Sequence, residues 1–263
     1  MPGKCASENR GMPSSLRTGG SIWLAPDSIF TGGGLMRDHA IRIEDGYVRD
    51  VVAKSSLDHA AKVVPLEGIV SNGLVDLQVN GGGGVLFNST PTGKGIEAII
   101  AAHRVYGTAQ ILPTVISDTE AVLERAVEAV VSNWGMRGLA GIHIEGPHIS
   151  LTKRGTHSPD VLRPLGDHTL GLVETLRQAG IPTMITVAPE VVSPDQIARL
   201  VQMGAVVSLG HSDATYEQTC AALRAGAGCF THLFNAMSHM TSRSPGMVAA
   251  ALTSDAGAGF ICD

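Results

Sequence analysis

Val206-Val207-Ser208-Leu209-Gly210-His211 is an apolar, strand-like run that ends on a histidine, and Cys229-Phe230-Thr231-His232 ends the same way. Upstream, Ile142-His143-Ile144-Glu145-Gly146-Pro147 puts a carboxylate at the end of a third such run. In a (β/α) barrel the C-terminal ends of the parallel strands converge on one face, so residues far apart in sequence meet around one cavity. One Glu and two His at such ends form a three-ligand catalytic zinc site with a coordination position left for water. Taken singly, each histidine is more often a core or surface residue than a ligand; the shared strand-end position is what points to a metal. Glu145 adds to this, because an unpaired carboxylate on an apolar strand is costly to bury and a metal is one partner that offsets the cost.

The flanking sequence keeps the period of such a barrel. From Leu74 onward, strand-like runs alternate with amphipathic helical stretches at a spacing of roughly 30 residues. Strands are expected at Leu74 to Asn80, Ala109 to Val115, Leu139 to Ile144, Pro182 to Ala188, Ala205 to Gly210, Gly228 to His232 and Ala258 to Cys262, seven in all. Helices begin behind good caps, at Asp118-Thr119 and at Ser193-Pro194, and one short helix, Tyr216 to Arg224, fits between His211 and His232. Residues 21–68 read instead as strands, with Ala40-Ile41-Arg42-Ile43-Glu44, an Asp45-Gly46 hairpin turn and a return at Tyr47-Val48-Arg49-Asp50-Val51-Val52. The fold class expected is therefore α/β: an incomplete TIM-type (β/α) barrel of about seven strands over 69–263, preceded by the N-terminal part of a small β-sandwich domain at 21–68 and a disordered leader at 1–20. No eighth strand is found, and a barrel short of one strand leaves two edges unpaired. The sequence is accordingly read as C-terminally truncated.

Composition agrees with a packed enzyme-like domain. The chain has 263 residues and 44% hydrophobic content, enough for a large core. Only 16% of residues are charged and the formal net charge is -5, which argues against a nucleic-acid or acidic-membrane partner; a small anionic substrate would need local cations. Its 32 glycines against 5 Phe, 3 Tyr and 2 Trp suit many tight turns around an aliphatic core. Cys5, Cys220, Cys229 and Cys262 show no C-x-x-C spacing, and Cys229 on its apolar strand is expected to be a buried small hydrophobe. With no apolar signal-like region and no 18-residue apolar run, a cytoplasmic location is expected.

Thr231-His232-Leu233-Phe234-Asn235-Ala236-Met237, followed by Arg243-Ser244-Pro245-Gly246, is specific enough to compare with known families. With Gly210-His211-Ser212 and His143-Ile144-Glu145-Gly146-Pro147, it closely resembles the N-acetylglucosamine-6-phosphate deacetylases of the amidohydrolase superfamily, over roughly residues 40 to 263. The resemblance implies that Glu145, His211 and His232 bind one catalytic divalent metal ion, zinc in first place with Fe, Co or Mn as alternatives. His143 lies on the same strand face as Glu145 but is not carried over as a ligand and is read as structural. Many amidohydrolases carry H-x-H on the first strand and bind two metals, whereas this chain has Asp76-Leu77-Gln78-Val79-Asn80. Gln and Asn are poor zinc ligands beside imidazole, so a single metal is expected, with Gln78 and Asn80 holding a water where a second would sit. The Asn80-Gly81-Gly82-Gly83-Gly84 run lacks the phosphate-loop pattern and reads as a connection.

For the substrate, the resemblance implies that Arg243 binds a phosphate bidentately, with backbone N–H groups near Asn235 and Ala236 as further donors and Gly146 also in the pocket. It implies that His157 contacts the sugar or its acetamido oxygen, and that a homodimer interface can complete the phosphate pocket in a full-length protein. One departure is His148, at a position usually aromatic in the family, which puts some packing of the pocket wall in doubt. The implied reaction is hydrolysis of N-acetylglucosamine 6-phosphate to glucosamine 6-phosphate and acetate, in amino-sugar catabolism. The expected partner is thus a small phosphorylated amino sugar, with neither nucleic acid nor membrane. The family's proton-transfer Asp lies on the eighth strand, so no catalytic acid–base is identified here; Asp263 instead matches an Asp at the end of the seventh. The chain itself is therefore expected to be inactive and not to fold as a stable monomer. Two alternatives stand beside this reading: a deacetylase for the galactosamine epimer, and a non-catalytic fragment that keeps only metal or sugar-phosphate binding.

Overall fold

Residues 21–261 are described by the structure, a computed structural model. The leader expected at 1–20, with Cys5, and the terminal Cys262 and Asp263 lie outside the described residues. The chain divides after Gly73 into two compact units.

The first unit is built on β1 (Ile22–Thr31), β2 (Gly34–Arg37), β3 (His39–Glu44), β4 (Tyr47–Ala53) and β5 (Val63–Ser71). Asp45 and Gly46, at φ 51° and 81°, turn β3 into antiparallel β4 in the left-handed backbone that a two-residue hairpin needs. The strands form one sheet in the order β2-β1-β3-β4, with β5 running parallel to β1. Among the described residues this unit is a single five-stranded sheet. Its boundary moves. Gly68 is not a strand end but part of an irregularity at Pro26/Ser28, where its N–H donates to Asp27 Oδ2 at 2.7 Å; pairing then resumes from Ile69 to Ser71. The division expected at 68/69 therefore falls at Gly73/Leu74.

In the second unit, chain order gives β6 (Leu74–Val79), β7 (Gly81–Gly82), β8 (Val85–Leu86), α1 (Gly93–Arg104), β9 (Thr108–Ile116), α2 (Glu120–Ser132) and β10 (Ile142–Glu145). Then follow α3 (Asp167–Gln178), β11 (Thr183–Val187), α4 (Pro194–Gln202), β12 (Val206–Leu209), α5 (Tyr216–Arg224), β13 (Cys229–Phe230), α6 (Gly246–Leu252) and β14 (Gly257–Ala258). Seven strands form one parallel sheet in the order β6-β9-β10-β11-β12-β13-β14, so sequence neighbours are space neighbours joined through helices. This is the curled half-barrel expected from the sequence. The caps work as read: Thr119 Oγ1 accepts from Val122 N, and Ser193 and Gln196 make a reciprocal capping box.

Strand ends differ in detail. Leu139 makes only an isolated bridge to Ile111, so β10 begins at Ile142. β14 is two residues long, although Gly259 N–H to Phe230 O (2.9 Å) and Leu233 N–H to Gly259 O (2.7 Å) extend the pairing. Because so short a strand flanks it, Cys229 is half-buried and not the buried residue expected.

Period two sorts the sheet into two faces. Ile142, Ile144, Ile185, Val187, Val207 and Leu209 join the helices' Leu123, Val127, Leu176, Ile197 and Leu200 in one buried cluster. Each such side chain contributes about 1.5–3 kcal/mol on full burial. The alternate residues His143, Glu145, Thr186 and Ser208 are just as buried but polar, and they occupy the opposite face. No helix among the described residues is long and apolar enough to cross a membrane.

Candidate metal centre

Glu145 is the last residue of β10, and His211 follows β12 by two positions, as His232 follows β13. Their ligand atoms lie within 4.8 Å of one another, and all three side chains are buried or nearly so. Glu145 Oε1 is 3.3 Å from His211 Nε2 and 3.3 Å from His232 Nε2, and the two nitrogens are 2.9 Å apart. Metal–ligand bonds of about 2.0–2.1 Å at tetrahedral angles give ligand-to-ligand edges of roughly 3.3 Å, so the two Glu–His edges fit directly and the His–His edge needs a small opening.

The tautomers fit too. His211 Nδ1 donates to Lys153 O at 2.9 Å and His232 Nδ1 to Asn235 O at 3.2 Å, so in the neutral rings both Nε2 atoms present bare lone pairs toward each other and toward a carboxylate. Three acceptors crowded in this way require a positive charge between them. The electrostatics agree. Burial raises the pKa of Glu145, but the two imidazoles against it, which would donate to it if protonated, outweigh burial and hold the carboxyl far below the usual carboxylate range. At His232, burial opposes protonation, yet the Glu145 carboxylate outweighs it and raises the imidazole pKa. Both histidines also sit in left-handed backbone, at φ 47° and 35°, an arrangement that costs energy and clusters at functional sites.

Gln78, on β6, donates from Nε2 to Glu145 Oε1 at 2.8 Å. It therefore braces the Glu145 carboxylate directly. Asn80 has a buried Nδ2 with no hydrogen-bond partner, a donor left free beside the groove of ≈ 580 Å³ that Gln78, Asn80 and His232 help to line.

His157 is buried with its ring 4.5 Å from that of His211. Its Nδ1 faces Ser117 Oγ at 2.6 Å and Ser117 N–H at 3.3 Å. A backbone N–H can only donate, so Nδ1 is an acceptor and the ring proton is on Nε2. Burial and the neighbouring His211 lower its pKa to about 4, which keeps that ring neutral. Ser117 was missed in the sequence. Its signal was its place, one residue beyond β9, the same strand-end logic that found the ligands. Gly146, at φ 79°, has Ser117 Oγ pressed against the point where a Cβ would stand, so glycine is required there on both counts. His148 is buried and bonded through Nδ1 to Arg163 O and through Nε2 to Thr169 Oγ1, both at 2.9 Å, so it closes the wall with hydrogen bonds.

The residues expected at a phosphate are less assembled. Asn235 N–H is spent on His232 O at 3.0 Å, so the donor left at that position is its side-chain amide, a correction to the backbone donor expected there. Ala236, at φ 51°, gives its carbonyl to Ser212 N–H. Arg243 is exposed and makes no side-chain hydrogen bond or ion pair among the described residues.

A curled parallel sheet with a buried His–His–Glu triad at its strand ends defines the class of arrangement: a (β/α) half-barrel with three side chains able to hold a metal ion at one face. Within that class the chain is homologous to the N-acetylhexosamine-6-phosphate deacetylases. It is 43% identical over 232 residues to N-acetylgalactosamine-6-phosphate deacetylase of a Shewanella species, covering 86% of this chain and 58% of that protein. It is 35% identical over 240 residues to N-acetylglucosamine-6-phosphate deacetylase of Haemophilus influenzae, covering 89% of this chain and 62% of that protein. The crystal structure of the Pasteurella multocida N-acetylglucosamine-6-phosphate deacetylase superposes with a TM-score of 0.85 at 29% identity, covering 91% of this chain and 64% of the other. The chain thus spans about three fifths of the length of these relatives. No family model matches it.

Proposed function

We propose that the protein carrying this chain removes the acetyl group from N-acetylglucosamine 6-phosphate, giving glucosamine 6-phosphate and acetate. The observation that carries this reading is the buried Glu145, His211 and His232 triad, whose bare acceptors fit one divalent ion. Zinc is the metal proposed, since imidazole and carboxylate nitrogen and oxygen donors suit it, with Fe, Co or Mn able to replace it. When bound, such an ion lowers the pKa of a water toward about 7 and polarises the amide carbonyl. The chain's own residues do the rest of what is described. Gln78 fixes the Glu145 carboxylate, Lys153 O and Asn235 O fix the ligand tautomers, and His157 presents an N–H to the acetamido or sugar oxygen.

Proton transfer needs a further carboxylate. Asp213 is ion-paired with Lys153 at 3.4 Å, and Asp255 lies on the loop that enters β14, at the opposite ends of the strands from the triad. We assign that role to neither. Arg243 and the Asn235–Ala236 turn are the proposed phosphate site, completed in a homodimer, and a cytoplasmic place in amino-sugar catabolism is the setting proposed. The 43% identity to a galactosamine-epimer deacetylase favours that epimer as a second reading. Acetate release from the two 6-phosphates, assayed in parallel on the metal-loaded protein, tests both; turnover of neither refutes the function, and a preference for the galactosamine epimer selects the second.

A further inference from the structure

Four buried polar side chains stand behind the triad and take no part in the chemistry above: His143 on β10, Thr186 on β11, Ser208 on β12 and Thr231 just after β13. They touch in series. His143 Nδ1 is 3.1 Å from Leu77 O, and its Nε2 is 2.7 Å from Thr186 Oγ1. Thr186 Oγ1 is 2.7 Å from Thr231 Oγ1, which is 2.6 Å from Ser208 Oγ.

The direction of this series follows from its two ends. A carbonyl oxygen only accepts, so His143 Nδ1 carries a proton. A doubly protonated imidazolium at a site this buried, with no carboxylate bonded to it, would be costly, so Nε2 is bare and accepts from the Thr186 hydroxyl. Thr186 has then spent its hydrogen and must accept from Thr231, which must in turn accept from Ser208. Every member donates once, in one sense, from Ser208 to Leu77. A glycine makes room for it. At Gly210 a Cβ would stand 2.9 Å from Thr231 Cβ and 3.2 Å from Thr186 Cγ2, although its backbone needs no glycine, so the absent side chain there lets the two threonines meet.

The series adjoins the metal site at two points. Leu77 precedes Gln78, whose amide holds Glu145, and Thr231 precedes His232. β6 and β10 are not neighbours in the sheet, since β9 lies between them, so the His143–Leu77 bond spans the concave face. We propose that Ser208, Thr231, Thr186 and His143 form a one-directional hydrogen-bond chain that positions the metal ligands, with His143 fixed as its Nδ1–H tautomer. Its role rests on the metal-centre reading of the proposed function; its direction does not.

Two measurements on the whole chain separate these. Long-range proton–nitrogen NMR of histidine-labelled protein reads the tautomer without metal, and cobalt(II) titration followed by its visible absorption reads ligand geometry and affinity. His143 is expected as Nδ1–H in the wild type; an Nε2–H ring overturns the direction. Thr186→Val, which keeps shape and removes the hydroxyl, is expected to shift the His143 Nε2 resonance and weaken cobalt binding about 10–100-fold, the usual effect of losing a partner behind a metal ligand. Thr186→Ser is expected to restore both. If Thr186→Val fails to fold, Ser208→Ala removes only the first donor and should weaken cobalt binding roughly three- to tenfold. Unchanged cobalt affinity in a folded variant, with the wild type binding normally, overturns the positioning role. A wild type that binds no cobalt overturns the metal-centre reading and the role with it, while the tautomer result stands on its own.

Discussion

Gly146→Ala tests how the strand end of β10 is held against Ser117, and its cost can be built from the structure. Alanine at φ 79° sits in left-handed backbone, a cost of about 1–2 kcal/mol. The new methyl would overlap Ser117 Oγ, while Ser117 Cβ and Ile149 Cγ2, at 3.5 and 3.6 Å, are in ordinary contact. Only the hydroxyl must move. Rotating it away gives up the 2.6 Å bond to His157 Nδ1, a net loss of about 1–2 kcal/mol with a buried acceptor left short of a donor. The total is about 2–4 kcal/mol, or a Tm drop of roughly 4–16 °C for a chain of this size. Ser117→Ala alone should cost about 1 kcal/mol. In the double variant no hydroxyl remains to clash, so its cost should fall below the sum of the two singles by about 1 kcal/mol or more. Urea unfolding of the four proteins at neutral pH measures the cycle. Additivity within about 0.5 kcal/mol would refute the steric link between Gly146 and Ser117.

Other outcomes follow from the same geometry. His211→Ala should abolish stoichiometric binding of a single divalent ion, read by metal analysis after dialysis; retained binding, or two tightly held ions in the wild type, contradicts the three-ligand site. Buried His143, His148 and His157, each lowered to about 4 chiefly by burial, take up protons only on unfolding between about pH 6.5 and 4. Stability should therefore be full above about pH 6.5 and fall as pH drops toward 4, by as much as about 1.4 kcal/mol per pH unit for each group; a flat denaturation profile over that window would show that these rings are not buried neutral. Arg243→Ala in the protein that carries this chain should cut kcat/KM for the 6-phosphate about 100-fold and leave the unphosphorylated sugar nearly unchanged. Equal losses would make Arg243 structural.

The meeting of Glu145, His211 and His232 was legible because it depends on position along a strand, and strand ends can be read from hydrophobic runs and the residues that close them. The seven-stranded order was legible for the same reason, since each β/α crossover repeats one local pattern. What escaped were pairings between side chains with no local signature. Gln78 meets Glu145 across 67 residues and Ser117 meets His157 across 40, and nothing in either neighbourhood announces the other. The irregularity at Gly68 escaped in the same way: its N–H is held by Asp27 on β1, 41 residues away.

The left-handed backbone of His211 and His232 has an evolutionary consequence. At both positions glycine, and to a lesser degree asparagine, would relax the chain, so the residue the proposed metal centre needs and the residue that best suits the backbone are different. Mutational drift under selection for robustness alone, for instance a thermal screen run with a chelator, should therefore enrich replacements at these two codons first, and a screen for metal-dependent growth should purge the same clones. The genotypes that are fitter under one regime and dead under the other lie a single substitution apart, which makes loss of the metal centre an easy path for a duplicated copy of this gene to take.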